Sequence, residues 1–518
     1  MRVPRLELSA VAAILAAMAG VLAFPLSDYD YFWHLRTGML MLETGAIPTT
    51  DPFSFSAAGR PWTVQGWLFD AATAWVHRVL GDTGVRAFFV AWLLATWSVV
   101  HAIVRLHVAE PSRALAITLA SAVGASTFFV ARPFVATFLG FALTLFLLMK
   151  HRESGRRGWL LGIPATMAVW VNLHFGFVTG LGLIVLVCAA DFASRQMPLD
   201  GAPRAAGRLT PTTCLLLLLA SVAALGLNPM GFAALGTTLD MTRANAASMV
   251  VEWHSPDFWL PGSQAFLAMI GVAVVARALS RSAADWLDVA LLGAMTSAAL
   301  YSMRHMPLAA IAMAPVMARA FAGWSPLPWE NRWLARIPAR LRAGGGKDLG
   351  EGVHALNWAL CAVAGVALLL AAPSVSAWRD ARLASIVPVD AAQFIEAHDL
   401  QGRILNDYAA GGYLIHRLHP GGRRVFVDGR YNLYVPDVID DYLRVTSQSA
   451  DWLEILERHR IDVVLAHAPS RSLAQALKAT SRFRLVYADP WFGVLIRNDG
   501  RRPDLPDVAA PASLPRPR

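Results

Sequence analysis

The sequence predicts a polytopic α-helical membrane protein carrying a C-terminal α/β domain, and three observations predict it. Of 518 residues, 56% are hydrophobic and only 16% are charged, a balance outside the range of soluble domains. Apolar runs long enough to cross a bilayer recur about eleven times, at residues 8–26, 84–104, 114–131, 134–149, 159–174, 176–193, 210–227, 263–279, 286–302, 306–322 and 354–373. Beyond residue 390 the apolar runs stop, and short helical stretches alternate with β-rich ones, the pattern of an α/β unit.

In chain order, Leu8–Leu26 lacks a small-residue cleavage site before the aromatic stretch that follows, so it is expected to be a retained span. The stretch 28–83 is an outer loop that opens on two carboxylates, Asp28 and Asp30, and an aromatic cluster of Tyr29, Tyr31, Phe32 and Trp33. An amphipathic helix is expected over about His34–Glu43, stopped by Gly45 and Pro48. A second, Trp-rich helix runs from near Trp62 to about Leu80. The loop reads either as an aromatic belt at head-group level or as a catalytic loop lying on the membrane.

Charge fixes the expected topology. Arg and Lys collect in alternate loops, at Arg2 and Arg5, Arg105 and Arg113, Lys150 to Arg157, Arg195 to Arg208, Arg277 and Arg281, and Arg332 to Lys347. This places those loops and the N-terminus in the cytoplasm. The net charge of +9 is therefore topological and implies no nucleic-acid partner. Parity then requires that Trp67–Leu80 not span and puts everything after Pro373 outside. The three cysteines, Cys188, Cys214 and Cys361, each fall in an apolar run and read as packing residues without a disulfide or metal framework.

Polar residues gather at the outward ends of the spans. Arg132 sits in the turn of FFVARPFVATF, His174 in the hairpin of WVNLHFGF, Glu252 in MVVEWHSPDFW and Arg304 with His305 in SMRHMP. Each has an ordinary alternative: a snorkelling arginine, an interfacial histidine, a capping glutamate. Together with Asp28 and Asp30 they lie where one outward-facing cavity can collect them. A transporter places its charges at the midplane of repeated, broken helices, and no such repeat is present.

After a linker at 374–389, the domain at 390–498 is expected to contain helices at Asp390–His398, Tyr413–Leu418, Pro436–Val445, Ala450–Arg460 and Ser470–Ala479. Its strands are expected at Arg403–Leu405, Arg424–Val427, Asp462–His467, Phe483–Ala488 and Phe492–Arg497. NDYAAGG and VDGRYN sit at strand ends, where α/β domains place binding residues. The tail at 499–518 is rich in Pro, Ala and Arg and is expected to be disordered.

The order of these motifs resembles the GT-C class of membrane glycosyltransferases, and most of all the catalytic subunit of oligosaccharyltransferase. Asp30 and Arg36 in DYFWHLR hold that family's Asp-to-Arg spacing. ARPFVAT, WVNLHFGF, MVVEWHSPDFW, RHMPLAAIAMAP and NDYAAGGY are degenerate counterparts of its later motifs. The resemblance implies a polyprenyl-phosphate-linked sugar donor, membrane lipid around it, and transfer to a glycan, lipid or protein acceptor on the outer face of the cytoplasmic membrane. Asp30 would orient or deprotonate the acceptor hydroxyl, and Asp30 with Glu252 would hold a divalent ion, Mg or Mn. Arg36, Arg132, His174, Arg304, His305, Asp407 and Tyr408 would bind substrate. The family's second acidic motif is missing after Arg132, as are the paired tryptophans that read a protein sequon. A noncatalytic membrane binding or assembly protein of the same fold is therefore the competing expectation.

Overall fold

A computed structural model describes residues 19–203, 205–246, 250–322, 372–467 and 471–508. Nine of the apolar runs coincide with helices: Trp67–Arg105, Pro111–Ala125, Val135–Ser154, Gly158–Leu173, Phe177–Gln196, Pro211–Leu225, Pro261–Ala278, Trp286–Tyr301 and Met306–Ala322. Five helical segments among the described residues are long and apolar enough to cross a membrane, and three more are apolar but shorter. The chain is a multi-pass membrane protein; the runs at 8–26 and 354–373 lie largely outside the described residues, so a total of eleven does not follow.

Met306–Ala322 is the axis of the bundle. Every residue from Met306 to Ala318 is buried, as expected of a helix apolar all round and surrounded by others. The Trp-rich helix begins at Trp67, not Trp62, and continues into the next span through a break at Gly81. Gly81 has φ +61°, a left-handed conformation that glycine adopts without a Cβ clash. The break falls where Trp67–Leu80 was expected to end.

At the end of the bundle away from Asp30, buried ion pairs tie helices together. Arg152 pairs with Asp191 and Asp285, and Arg319 donates from Nε to Asp288 at 2.7 Å. Cys188 and Cys214 form a disulfide between neighbouring helices, which corrects the expectation that they only pack. Helical projection brought them together across two elements, a relation that no spacing within one run reveals. Cys361 lies outside the described residues.

The C-terminal domain carries a four-stranded sheet in the order β1-β2-β4-β3, with β1 Arg403–Asn406, β2 Ile461–His467, β3 Phe483–Ala488 and β4 Phe492–Arg497. β1 and β2 are parallel and the remaining pairs antiparallel. Three expectations are corrected here. Residues 374–386, expected within the linker, belong to a helix over 372–386. Arg424–Val427 is no strand of this sheet: Val425 forms single bridges, to Ile404 and to Ser54 of the outer loop. The tail to residue 508 is packed, with Leu505 buried and the Val508 N–H donating to Leu485 O at 2.8 Å.

The outer loop is thus sewn into the C-terminal domain. Phe55 N–H donates to Val425 O at 3.0 Å and Val425 N–H to Phe53 O at 3.1 Å. Arg430 is buried between Asp51 of the loop, 2.7 Å from Nη1, and Asp428, 2.7 Å from Nη2. Its guanidinium lies over Trp62 and Phe53, at 4.6 and 5.2 Å. Removing one partner of such a buried set strands the others, typically at about 3–5 kcal/mol. Arg430→Met should therefore expose the loop and the C-terminal domain to protease while the bundle stays resistant; digestion unchanged from wild type would show that the pair does not hold the two parts together.

Candidate active site

Five of the sequence-derived candidates meet at one cavity. Asp30, Arg132, His174, Glu252 and Arg304 line a space of about 130 Å³, together with Trp33, His34, Gln65, Asp70, Trp253 and Gly429 to Asn432. The elements that supply them all end on the same side. Asp30 precedes the Tyr31–Thr44 helix, Arg132 lies in the turn before Val135, and His174 follows the Gly158–Leu173 helix. Glu252 sits in a short 3-10 turn, and Arg304 in the turn that leads into Met306–Ala322. Met303 N–H donates to His254 O at 2.9 Å and Ser302 Oγ to Glu252 O at 3.1 Å, pinning these last two turns together.

Arg132 is the hub. Its Nε donates to Asp28 Oδ1, and its Nη1 faces both Asp30 Oδ2, at 3.2 Å, and Glu252 Oε1. Asp28 is thus a partner of Arg132 at the site and half-buried there. Burial pushes the Asp28 carboxyl up against the pull of Arg132. Burial acts on Asp30 in the same sense, but Arg132, His34 and the Trp33 N–H outweigh it and hold Asp30 below the usual carboxylate range. The two neighbouring carboxyls are thus shifted in opposite directions.

The same geometry does not fit a divalent ion between Asp30 and Glu252. The Arg132 guanidinium already occupies the position between the two carboxylates, and no group of three or more His, Cys, Asp or Glu side chains among the described residues is arranged to hold a metal. Positive charge at this point comes from the protein.

Arg304 differs from Arg132. Its Nε is 3.7 Å from Glu252 Oε2, and its guanidinium lies over Trp253 at 4.7 Å and Phe175 at 5.5 Å. Stacking orients the fork and leaves its terminal donors to the cavity. His174 accepts at Nδ1 from Gly176 N–H at 3.1 Å and contacts Thr137 Oγ1 at 2.7 Å. Because Trp170 Nε1 donates to that same hydroxyl at 3.2 Å, the hydroxyl proton is directed to His174. Its Nδ1 is then an acceptor and Nε2 carries the proton. Burial, with Arg304 adding to it, pushes the ring well below its ordinary value.

Two further polar features were not singled out in the sequence. His34 Nδ1 lies 2.9 Å from Asp70 Oδ1 and stacks on Trp33. Gln65 is buried at the cavity wall with both amide atoms unpartnered, as is Asp70 Oδ2. Buried polar atoms without partners are rare, and three on one wall mark a surface built to receive hydroxyl groups.

Four sequence candidates lie elsewhere. Arg36 is clamped by Glu43, 2.9 Å from each nitrogen. His305 lines a neighbouring apolar cavity. Asp407 caps a turn by accepting from Ala409 N–H at 3.0 Å. Tyr408 is half-buried outside the cavity lining, its backbone N–H donating to Tyr442 Oη at 3.0 Å. What their two motifs contribute is glycine. A Cβ on Gly429 would lie 1.8 Å from Asp30 Oδ1, and one on Gly412 would lie 2.3 Å from Tyr29 O. The C-terminal domain closes over the Asp30 turn through bare backbone.

No protein-family profile and no curated protein sequence matches the chain. Its fold is that of the GT-C membrane glycosyltransferases. It is similar to ArnT from Cupriavidus metallidurans bound to undecaprenyl phosphate, with a TM-score of 0.53 at 14% identity, covering 95% of this chain and 98% of that one. It is also similar to the oligosaccharyltransferase AglB from Archaeoglobus fulgidus, in complex with an inhibitory peptide and a dolichol-phosphate. That match has a TM-score of 0.52 at 13% identity and covers 92% of this chain and 72% of that one.

Proposed function

We propose that the protein transfers a sugar from a polyprenyl-phosphate donor to an acceptor hydroxyl at the outer face of the cytoplasmic membrane. One observation carries this. The polar cavity adjoins an apolar one of about 140 Å³, lined by Phe128, Phe134, Phe138, Val178 and Leu308, and His174, Phe175, Trp253 and Arg304 belong to both. A cation at the junction of a polar and a greasy chamber suits a phosphate with an isoprenoid tail. The similar ArnT and AglB structures hold undecaprenyl phosphate and dolichol-phosphate.

In the reaction, the acceptor oxygen attacks the anomeric carbon as the bond from that carbon to the phosphate oxygen breaks. The hydroxyl proton passes to the Asp30 carboxylate, and polyprenyl phosphate leaves with the bond's electron pair. Arg304 meets the charge that develops on the phosphate. Arg132 holds Asp30 and Glu252 in place, and Gln65 with Asp70 offers hydrogen bonds to the sugar or acceptor hydroxyls. His34, oriented by Asp70, lies beside the route of the proton.

Cells lacking the protein, complemented with each variant, provide the test, read by profiling polyprenyl-linked sugars and surface glycans. Arg304→Lys keeps the charge and loses the fork; the loss of a charge-assisted hydrogen bond weakens donor use by roughly tenfold to a hundredfold. A null strain with unchanged glycans and unchanged lipid carriers would instead favour a noncatalytic binding or assembly role.

A further inference from the structure

A second, larger cavity of about 270 Å³ lies across the Tyr31–Thr44 helix from the candidate site. Asp30, Trp33 and His34 line the first cavity, whereas Tyr31, Phe32 and Leu35 line the second. At helical spacing these are opposite faces. The remaining wall brings together Arg86 and His77 from the Trp67–Arg105 helix, Arg379 from the 372–386 helix, and His416 with Arg417 from the Gly411–Leu418 helix.

Several of its polar atoms are left unpaired, although Arg379 Nη1 and Nη2 donate to Leu22 O at 2.5 Å and Ser376 Oγ at 3.4 Å. Tyr31 Oη, Arg86 Nε, Arg379 Nε and His416 Nδ1 are all buried without a hydrogen-bond partner among the described residues. Tyr31 is only 2% exposed. Two other polar groups are already engaged, Arg417 by Glu396 at 2.8 Å and His77 by Asp82 at 3.4 Å. The two carboxylates on the wall, Asp82 and Asp380, are exposed. Two arginine Nε groups, a phenol and an imidazole converge, and an oxyanion with several acceptor oxygens satisfies them together. Burial, then His77 and Arg36, pushes His416 down to about 4, so the ring is neutral and presents a single N–H. Leu26, Phe32, Leu35 and Leu383 give the same cavity an apolar side.

We propose that this cavity binds a phosphate group, carried either by a soluble phosphate ester or by the head group of an anionic phospholipid. Arg86 and Arg379 supply the charge, and Tyr31 and His416 supply neutral hydrogen bonds. The site is separate from the proposed donor site, on the opposite face of the Tyr31–Thr44 helix.

The test uses the full-length protein in phosphatidylcholine nanodiscs, with melting temperature read against added inorganic phosphate and, separately, against phosphatidylglycerol in the disc. The wild-type melting temperature should rise with one of the two. Arg86→Gln/Arg379→Gln should shift the half-saturating concentration at least tenfold, Tyr31→Phe should shift it several-fold, and Arg304→Gln should leave the response in place. Should the double variant fail to fold, Arg86→Lys/Tyr31→Phe carries the comparison. A response to inorganic phosphate assigns a soluble ester, and one confined to phosphatidylglycerol assigns a head group. No response to either probe overturns the proposal. A response lost in Arg304→Gln but kept in the double variant also overturns it, since the signal then belongs to the donor site.

Discussion

Asp30→Asn should leave the protein folded and inserted while transfer falls by roughly 10²–10⁴, the usual loss when a positioned general base is removed. The substitution keeps the volume, and the side-chain oxygen can still accept from Trp33 Nε1, now 3.1 Å from Asp30 Oδ1. It removes the charge that Arg132 and His34 hold ionised against burial. Because the Asp30 carboxyl lies below its ordinary value, the base form persists as pH falls, and wild-type activity should not be lost in mildly acid medium through this group. Asp28→Asn is a different substitution. Asp28 accepts from Arg132 Nε and, at 2.9 Å, from the Asp30 N–H, so it positions both partners and its loss should cost less than that of Asp30 but more than a surface carboxylate. Full complementation by Asp30→Asn, in a strain whose null shows a glycan defect, would show that another group takes the proton, with His34 next in line.

The elements that were legible in the sequence are those set by local periodicity. Apolar runs and helices coincide across the bundle, and β2, β3 and β4 begin and end within about a residue of the β-rich runs that predict them. Gly45, expected to stop the first amphipathic helix, does so with φ +66°. Relations between elements were legible only in part. Arg132, His174, Glu252 and Arg304 come together because each lies in a turn between helices on the same side, which alternation of loop charge already implies.

Arg36 shows how a matched spacing misleads. A step of six residues turns a helix by about 240°, so Arg36 points well away from Asp30. Seven residues bring the chain back to within about 20°, and Arg36 meets Glu43 instead. Asp28, which lies off that spacing, is nevertheless an Arg132 partner. The strand-end aspartates mislead for another reason. Asp407 and Asp428 attract notice as acids, yet Asp407 caps a turn and Asp428 is locked to Arg430. Their glycine neighbours matter more, because closure over Asp30 needs backbone without a Cβ. Gln65 carried no signal at all, since a lone amide in a loop becomes informative only once its burial is known.

Arg132→Met should be the most damaging single substitution in the site. It strands Asp28, Asp30 and Glu252, with Arg304 the arginine left beside Glu252. Removing one partner from a buried ionic set typically costs about 3–5 kcal/mol, because the charges left behind are neither hydrated nor paired. The carboxylates respond by taking up protons, so their folded pKa values rise above the unfolded values near about 4. A group raised in this way contributes stability that is present below the unfolded pKa and is lost as pH climbs through the folded one. The variant should therefore melt higher in mildly acid buffer than at neutral pH. In the wild type the Asp30 contribution runs the other way, present above about pH 4 and lost as pH falls through its depressed value. Arg132→Lys should fall between the two, since an ammonium keeps the charge but cannot span Asp28 and Glu252 at once. Adding Asp28→Asn to Arg132→Met removes one stranded charge and should recover part of the melting temperature without recovering transfer. A melting temperature of Arg132→Met that matches wild type at neutral pH would mean that the three acids are not held by this arginine, and the Asp30 site would have to be rebuilt around Arg304 alone.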